Sequence, residues 1–134
     1  MDFDIPVLAP PFNITRASHT VLTARDLDAS RHFYTELVGL IVSDEDEGAL
    51  YLRGREERGH HSLVLVKDDG PARCRRLGMR MLTDDDIRKA HEWFNENGFA
   101  AEFVEVPYQG LTLHVNDTMG LPLQFCANMD AMPR

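Results

Sequence analysis

The feature of this chain that most constrains its fold is an internal repeat. Residues 16–40 read as a strand, a capped helix, a glycine and the start of a new strand, and residues 75–101 follow the same plan. His19 and Arg76 occupy matching positions in the two copies. A repeat of this size predicts two equal supersecondary units, and it directs the search for function to the concave space that they share.

Each copy predicts a β-α-β-β-β module. Runs rich in β-branched and alternating apolar residues, separated by Gly, Pro and acidic turns, predict the strands. The predicted strands are 17–24, 40–43, 49–53, 61–67, 75–82, 101–106, 111–116 and 121–127.

A capped helix lies between the first two strands of each copy. Asp26 or Asp28 is suited to cap the first helix, and Thr83 with Asp86 predicts a capping box at the second. Gly39 and Gly98 are placed to end the two helices. Apolar spacing predicts the buried stripes, which are Ala29, Phe33 and Leu37 in the first helix and Ile87, Ala90, His91 and Phe94 in the second.

These elements predict an α+β fold. Two modules side by side should form a curved, eight-stranded mixed sheet with the helices outside and a cleft inside. Residues 1–15 are expected to be an extended, proline-rich arm, and 16–134 a single domain. Within that domain we place module one at 16–67, a linker at 68–74 and module two at 75–127.

Composition excludes several classes of partner. The net charge is −8, from 22 acidic and 14 basic residues, which argues against nucleic acid and against anionic membrane surfaces. No apolar run is long enough to cross a bilayer, and the N-terminus lacks the features of a signal peptide. Cys74 and Cys126 lie far apart without metal-binding spacing, so we expect free, reduced thiols in a cytoplasmic protein.

Two motifs resemble those of a known superfamily. DLDASRHFYTELVGL resembles the opening motif of the vicinal oxygen chelate superfamily, which includes glyoxalases, bleomycin-resistance proteins and type I extradiol dioxygenases, and only Val38 departs from it. NDTMGLPLQF resembles the motif that closes the second unit, with Thr118 and Gln124 as departures. The resemblance implies a glyoxalase/dioxygenase-like fold.

A longer stretch resembles one branch of that superfamily. EDEGALYLRGREERGHHSLVLVK and the proline-rich arm are similar to the N-terminal domain of extradiol dioxygenases that act on homoprotocatechuate (3,4-dihydroxyphenylacetate). In those enzymes a C-terminal domain carries Fe(II) and the ring-cleavage pocket, whereas the N-terminal domain is metal-free. The resemblance therefore implies a non-catalytic half whose partner is a C-terminal catalytic domain.

The superfamily's metal positions are largely unsuited to a metal in this chain. Carried over by resemblance, they are His19, Leu63, Arg76 and Gln124, on the first and fourth strands of each module. An oxygen-activating Fe(II) site needs two histidines and a carboxylate. His19 qualifies and Gln124 offers a carbonyl oxygen, but Leu63 offers nothing and Arg76 is a cation without a lone pair. We therefore expect no catalytic, cofactor or metal site here, and we expect His19 and Gln124 to be hydrogen-bonded to other groups.

The remaining histidines are predicted to be structural. His60 and His61 would point to opposite faces of a strand, which prevents joint chelation and favours a structural or interface role. His114 is expected to be a surface or hydrogen-bonded residue. His32 and His91 lie on the helices, outside the cleft.

Three functions remain open. The first is the non-catalytic N-terminal domain of a catechol-cleaving dioxygenase, with structural and subunit-contact roles. The second is a stand-alone protein of the bleomycin-resistance type that sequesters a ligand, for which the negative charge suits a cationic ligand. The third is a small metal-dependent enzyme of the glyoxalase type. An exposed apolar interface predicts a homo-oligomer.

Overall fold

A computed structural model describes residues 11–133 of the chain. In chain order its elements are β1 (Ile14–Ala24), α1 (Leu27–His32) continued by a π-helical turn (Phe33–Leu37), β2 (Ile41–Glu45), β3 (Ala49–Arg53), β4 (Leu63–Lys67), β5 (Cys74–Met81), α2 (Asp84–Glu96), β6 (Glu102–Val104), β7 (Thr112–Asn116) and β8 (Pro122–Cys126). No described helix has the length and apolar character needed to cross a membrane.

All the described strands join one sheet in the order β2-β3-β4-β1-β5-β8-β7-β6. β1 and β5 pair antiparallel at the centre, β1 is parallel to β4, and β5 is parallel to β8. The outer pairs are antiparallel. Each half therefore repeats the same strand order outward from the centre, and the predicted mixed α+β sheet is confirmed.

Each helix packs on its own half of the sheet. α2 covers a cluster built from β5, β7 and β8, with Ile87, Ala90 and Phe125 at its centre. α1 covers a cluster around Leu50, Leu52 and Leu65. A third cluster, formed by Ala49, Tyr51 and Val64, lies apart from both helices on the cleft face of the first half. The helices thus leave one face of the sheet free to form a cleft.

The predicted stripe of the first helix is wrong. Asp26 is the N-cap, since its carboxylate accepts a hydrogen bond from the Ala29 N–H at 3.0 Å. The residues that pack on the sheet are Leu27 and Tyr34. Ala29 comes two positions after Leu27, and two positions correspond to a rotation of about 200° around an α-helix. The predicted stripe is therefore on the outer side, where Ala29, Phe33 and Leu37 are exposed.

The second helix follows its prediction closely. Thr83 and Asp86 form the capping box, and Ile87 and Ala90 are fully buried. Phe94 packs against the same cluster. His91 is half-buried and stacks on Phe103 of β6 with ring centroids 4.3 Å apart.

Some predicted boundaries differ from the structure. β1 begins at Ile14, so the last two positions of the predicted arm belong to the sheet, and residues 1–10 lie outside the described part. The arm's end docks on α2, because the Asn13 N–H donates to the Asp86 carboxylate at 3.2 Å. β4 begins at Leu63, so the histidine pair precedes the strand.

The Asp86 carboxylate joins the arm to α2, and its removal should destabilise the fold. Asp86 is buried and accepts hydrogen bonds from Asn13 and Thr83. We expect Asp86→Ala to lower the free energy of unfolding by about 2 kcal/mol, since a cap and a buried acceptor are lost. Denaturant unfolding measures the change.

Asp85→Ala is the matched control, because Asp85 is exposed and its one ion pair among residues 11–133 is a surface contact with Lys89. This control should change stability by less than about 0.5 kcal/mol. Equal losses in the two variants would contradict the role of Asp86.

Candidate functional site

His19 enters the centre of the sheet through a β-bulge. Ala17 pairs with Met79 and Thr20 pairs with Leu77, so Ser18 and His19 together oppose only Gly78. Such a bulge redirects a side chain. A Cβ atom on Gly78 would lie 2.4 Å from Cε1 of His19, so only glycine allows the ring to rest against β5.

Five side chains form a hydrogen-bonded chain across the two halves of the sheet. Nε and Nη2 of Arg80 donate to Oγ of Ser18 at 3.4 and 3.3 Å. Ser18 Oγ lies 2.9 Å from Nδ1 of His19, and His19 Nε2 lies 2.5 Å from Oε1 of Gln124. The Gln124 Nε2 atom lies 2.7 Å from Nε2 of His114. This set is the first relay.

Arg80 fixes the direction of the first relay, because a guanidinium can only donate. Its two bonds occupy the lone pairs of Ser18, so the Ser18 hydroxyl donates to Nδ1 of His19. His19 is then neutral, carries its proton on Nε2 and donates to Gln124. The Gln124 amide donates in turn to Nε2 of His114, which leaves the His114 proton on Nδ1.

A second hydrogen-bonded chain of side chains, the second relay, runs alongside the first. The Gly110 carbonyl at its end can only accept, and this fixes the direction of the other hydrogen bonds. The Thr112 hydroxyl donates to the Gly110 carbonyl at 2.9 Å and accepts from the Gln109 amide at 3.3 Å. The Gln109 oxygen therefore accepts from Nε2 of His61 at 3.0 Å. His60 Nδ1 lies 3.0 Å from the remaining nitrogen of His61 and donates to it.

The two relays meet at His19 and His61, whose rings make an edge contact with centroids 5.2 Å apart. The expectation that His60 and His61 point to opposite faces is wrong, because both are buried in a bend before β4 and their rings touch. His60 also stacks on Tyr108 at 3.7 Å. The structural role predicted for the pair agrees with this packing.

Several members of this network were missed in the sequence. Tyr108 has a φ of 66°, a left-handed conformation that is unusual for a bulky residue. Its hydroxyl donates to Asp44 at 2.6 Å, and this bond, followed by burial, raises the pKa of Tyr108 to about 12. Ser18, Gln109 and Arg80 carry no motif, so no local signal marks them.

Burial keeps the relay histidines neutral. It lowers the pKa of His61 to about 3, assisted by the neighbouring His19 ring. It also lowers the pKa of His114 to about 4, and the nearby Arg76 charge adds to that effect. The pKa of His19 is lowered by burial as well, although its bond to Gln124 opposes the change.

Next to the relays, the cleft face contains a cavity of about 430 Å³. Its apolar wall consists of Val21, Val64, Val66 and Val106, and Tyr51 adds an aromatic surface. The polar residues that line it are His61, Arg75, Arg76, Gln109 and Gln124.

The prediction that Leu63 lies in the cleft is wrong, and the next residue, Val64, lies there instead. Leu63 packs in the cluster under α1, on the helix side of the sheet. Val21 pairs with Val64, and Gly78 pairs with Gln124. The offset that matches His19 with Arg76 also matches Val21 with Gly78, so Val64 is the counterpart of Gln124. Val64, like Leu63, has no metal-ligating atom.

The residues at the superfamily's metal positions do not fit a metal ion. Two atoms among them could coordinate a metal, His19 Nε2 and Gln124 Oε1, and these two are joined by a hydrogen bond. Arg76 lines the same cavity as Gln124 and adds a positive charge that acts on the neighbouring His114. Among residues 11–133, no group of three His, Cys, Asp or Glu side chains could hold an ion.

Comparison with known proteins identifies the family. Residues 16–125 match the Glyoxalase/Bleomycin resistance protein/Dioxygenase superfamily. The chain belongs to this superfamily. It is 37% identical to a variant of homoprotocatechuate 2,3-dioxygenase from B. fuscum, with a TM-score of 0.86 over 100% of this chain and 38% of that one.

Two further solved structures agree with this family assignment. An extradiol ring-cleaving dioxygenase from B. fuscum is 36% identical with a TM-score of 0.88, over 99% of this chain and 37% of that one. A homoprotocatechuate 2,3-dioxygenase from Brevibacterium fuscum in complex with 3,4-dihydroxyphenylacetate is 37% identical, with a TM-score of 0.86. This match covers 99% of this chain and 42% of that one. The predicted resemblance is confirmed, and the chain spans about two-fifths of these dioxygenases.

The packing of His19 against β5 should depend on the absence of a side chain at Gly78. We expect Gly78→Ala to lower the free energy of unfolding by at least about 2 kcal/mol, because a methyl group would overlap the His19 ring. Gly54→Ala is the control, since no atom of the described residues lies within 4 Å of its Cβ position. Thermal and denaturant unfolding compare the two variants, and equal stability would contradict the close packing of His19 on β5.

The neutral histidines should make stability depend on pH. Folding lowers the pKa values of His61 and His114 from 6.5 to about 3 and about 4, so between these limits the folded state binds fewer protons than the unfolded state. The free energy of unfolding should therefore be greatest above pH 6.5 and fall toward pH 4. The slope is at most about 1.4 kcal/mol per pH unit for each histidine that stays neutral.

Substitution separates this effect from the titration of carboxylates. His114→Gln should remove up to one histidine's share of the slope, while His32→Gln, at an exposed position, should leave the slope unchanged. Denaturant unfolding at several pH values measures both. An unaltered slope in His114→Gln would show that His114 is not held neutral.

Proposed function

We propose that the chain is the non-catalytic N-terminal domain of a catechol-cleaving extradiol dioxygenase that acts on homoprotocatechuate or a related catechol. Its identity of 37% to homoprotocatechuate 2,3-dioxygenase, over the whole chain but 38% of that enzyme, supports the proposal. Fe(II) and the ring-cleavage pocket would then belong to a C-terminal catalytic domain, and this domain would provide folding support and subunit contacts.

The hydrogen bond between His19 and Gln124 is the observation that favours a non-catalytic role. It joins the two atoms that could coordinate a metal, and the relay assigns the proton of His19 to the nitrogen that faces Gln124. A metal at this point would have to remove that proton, break the bond and tolerate Arg76. The same obstacles weigh against the glyoxalase-type alternative.

An exposed apolar surface favours a contact role. Phe33, Leu37 and Val38 lie at the end of the first helix with 49%, 70% and 52% of their surfaces exposed. Contiguous apolar residues on a surface commonly mark an interaction site. We propose that this surface packs against the catalytic domain or another subunit, which would make the assembled protein an oligomer.

Metal binding tests the non-catalytic role directly. We expect the chain to bind less than stoichiometric Co(II) or Fe(II), and to consume no oxygen when supplied with Fe(II) and 3,4-dihydroxyphenylacetate. The double variant Arg76→His/Gln124→Glu should gain about one equivalent of Co(II), because it supplies a second histidine and a carboxylate beside His19. Elemental analysis and Co(II) absorption measure the gain.

The variant Arg75→His/Gln124→Glu is the matched control, since Arg75 is exposed and paired with Asp68. It should bind no more metal than the unaltered chain. Stoichiometric iron with oxygen uptake in the unaltered chain would overturn the non-catalytic role. The position of the domain is tested separately by the coding sequence after codon 134, where we expect a second domain and where an immediate stop codon would contradict it.

The cavity favours a second candidate function, which is sequestration of a ligand. The charge of the cavity differs from that expected for a cationic ligand, because the lining residues found among 11–133 include Arg75 and Arg76 but no Asp or Glu. A cationic ligand is therefore disfavoured, although the chain as a whole is acidic.

A further inference from the structure

We infer that the cavity on the cleft face binds a small organic anion with an apolar body, such as an aryl monocarboxylate. This site is independent of the proposed domain role and of any metal. Four features carry the inference: the charge of the lining residues, the unpaired state of Arg76, the hydrogen-bonding state of the two glutamines, and the apolar wall.

The charge of the cavity is opposite to that of the chain. The chain carries 22 acidic and 14 basic residues, yet in the described part of the chain the residues lining the cavity include two arginines and no carboxylate. An anion that enters the cleft therefore meets positive charge at short range, within a wall of low polarity that strengthens the attraction.

Arg76 is suited to anchor the anion. It is half-buried, and the one hydrogen bond of its guanidinium in the described chain runs from Nη1 to the Leu123 carbonyl at 3.3 Å. The salt bridges found among residues 11–133 do not include it, although the Glu102 charge lies close enough to act on its pKa. Arg75, by contrast, is exposed and paired with Asp68 at 3.2 Å. Most donors of Arg76 are thus available for a ligand, and a guanidinium matches a carboxylate in geometry.

The other polar groups of the cavity also favour a ligand that accepts hydrogen bonds. The amide oxygens of Gln109 and Gln124 accept from His61 and His19, so the oxygens are occupied. Each amide nitrogen uses one of its two hydrogens within a relay. The N–H groups of both histidines are also used internally. The lining therefore offers spare donors but hardly any spare acceptors, which disfavours ammonium and other donor-rich ligands.

The apolar wall sets the rest of the ligand. Val21, Val64 and Val66 form one side of the cavity, Val106 adds to it, and Tyr51 provides a ring face. The volume of about 430 Å³ lies within the range of known small-molecule sites. An aromatic ring can contact the valines while its carboxylate reaches Arg76.

Three isosteric probes separate charge from shape. Benzoate, benzamide and benzamidine share a ring and differ in that they are anionic, neutral and cationic. Titration of the 134-residue chain, followed by ¹H–¹⁵N NMR spectra, should show saturable shifts at Val21, Val64 and Gln124 with benzoate, at least about tenfold weaker binding of benzamide, and none of benzamidine.

Substitutions test the anchor. Arg76→Met should weaken benzoate binding at least about tenfold, and Arg76→Lys should retain part of the affinity. Arg88→Met, at an exposed position of α2 that does not line the cavity, should change the affinity less than about threefold. The same spectra report whether each variant is folded. If Arg76→Met does not fold, the affinity of Arg76→Lys for benzoate tests the role of Arg76 instead. Equal binding of benzamide or benzamidine, no binding of benzoate, or unchanged affinity in the folded Arg76 variant would each overturn the proposal.

Discussion

The hydrogen bond between His19 and Gln124 is the contact on which the centre of the molecule depends. It links β1 to β8 across β5, and it requires Gly78 because the His19 ring lies against the backbone there. Both partners are buried, at 3% exposure each. A buried polar group without a partner costs about 1–3 kcal/mol, so the relay that satisfies these groups stabilises the centre of the sheet, where the two halves meet. Arg80, at one end, determines the protonation of every group that follows.

The same bond connects the fold to its function. The superfamily's architecture brings side chains from the first and fourth strands of both modules into one cleft, and here those side chains satisfy one another. The histidine and the glutamine are joined, and the remaining two positions have a valine and an arginine. The proposed loss of metal chemistry and the proposed binding of an organic anion follow from one change, since a cation in place of a ligand repels a metal and attracts a carboxylate.

Much of the fold could be predicted from the sequence, because the repeat, the caps and the strand spacing are local signals. α2 shows this clearly, since its capping box and its buried stripe lie where the sequence places them. The errors have non-local causes. In α1 an equally regular apolar stripe is exposed, because contacts with the sheet favour Leu27 and Tyr34 instead. A slip of one residue moves a side chain to the other face of a strand, and such a slip separates the predicted Leu63 from Val64, which lines the cleft. The bulge at His19 and the bend at His60 depend on pairing that no short motif encodes.

The protonation of His19 tests this view of the cleft most directly. Long-range ¹H–¹⁵N correlation spectra of the histidine rings at pH 7 distinguish a proton on Nδ1 from one on Nε2. We expect His19 to be neutral with its proton on Nε2, and His114 to be neutral with its proton on Nδ1. A charged His19 would contradict the relay. A neutral His19 with its proton on Nδ1 would contradict it as well, and would leave the lone pair of Nε2 free to bind a metal.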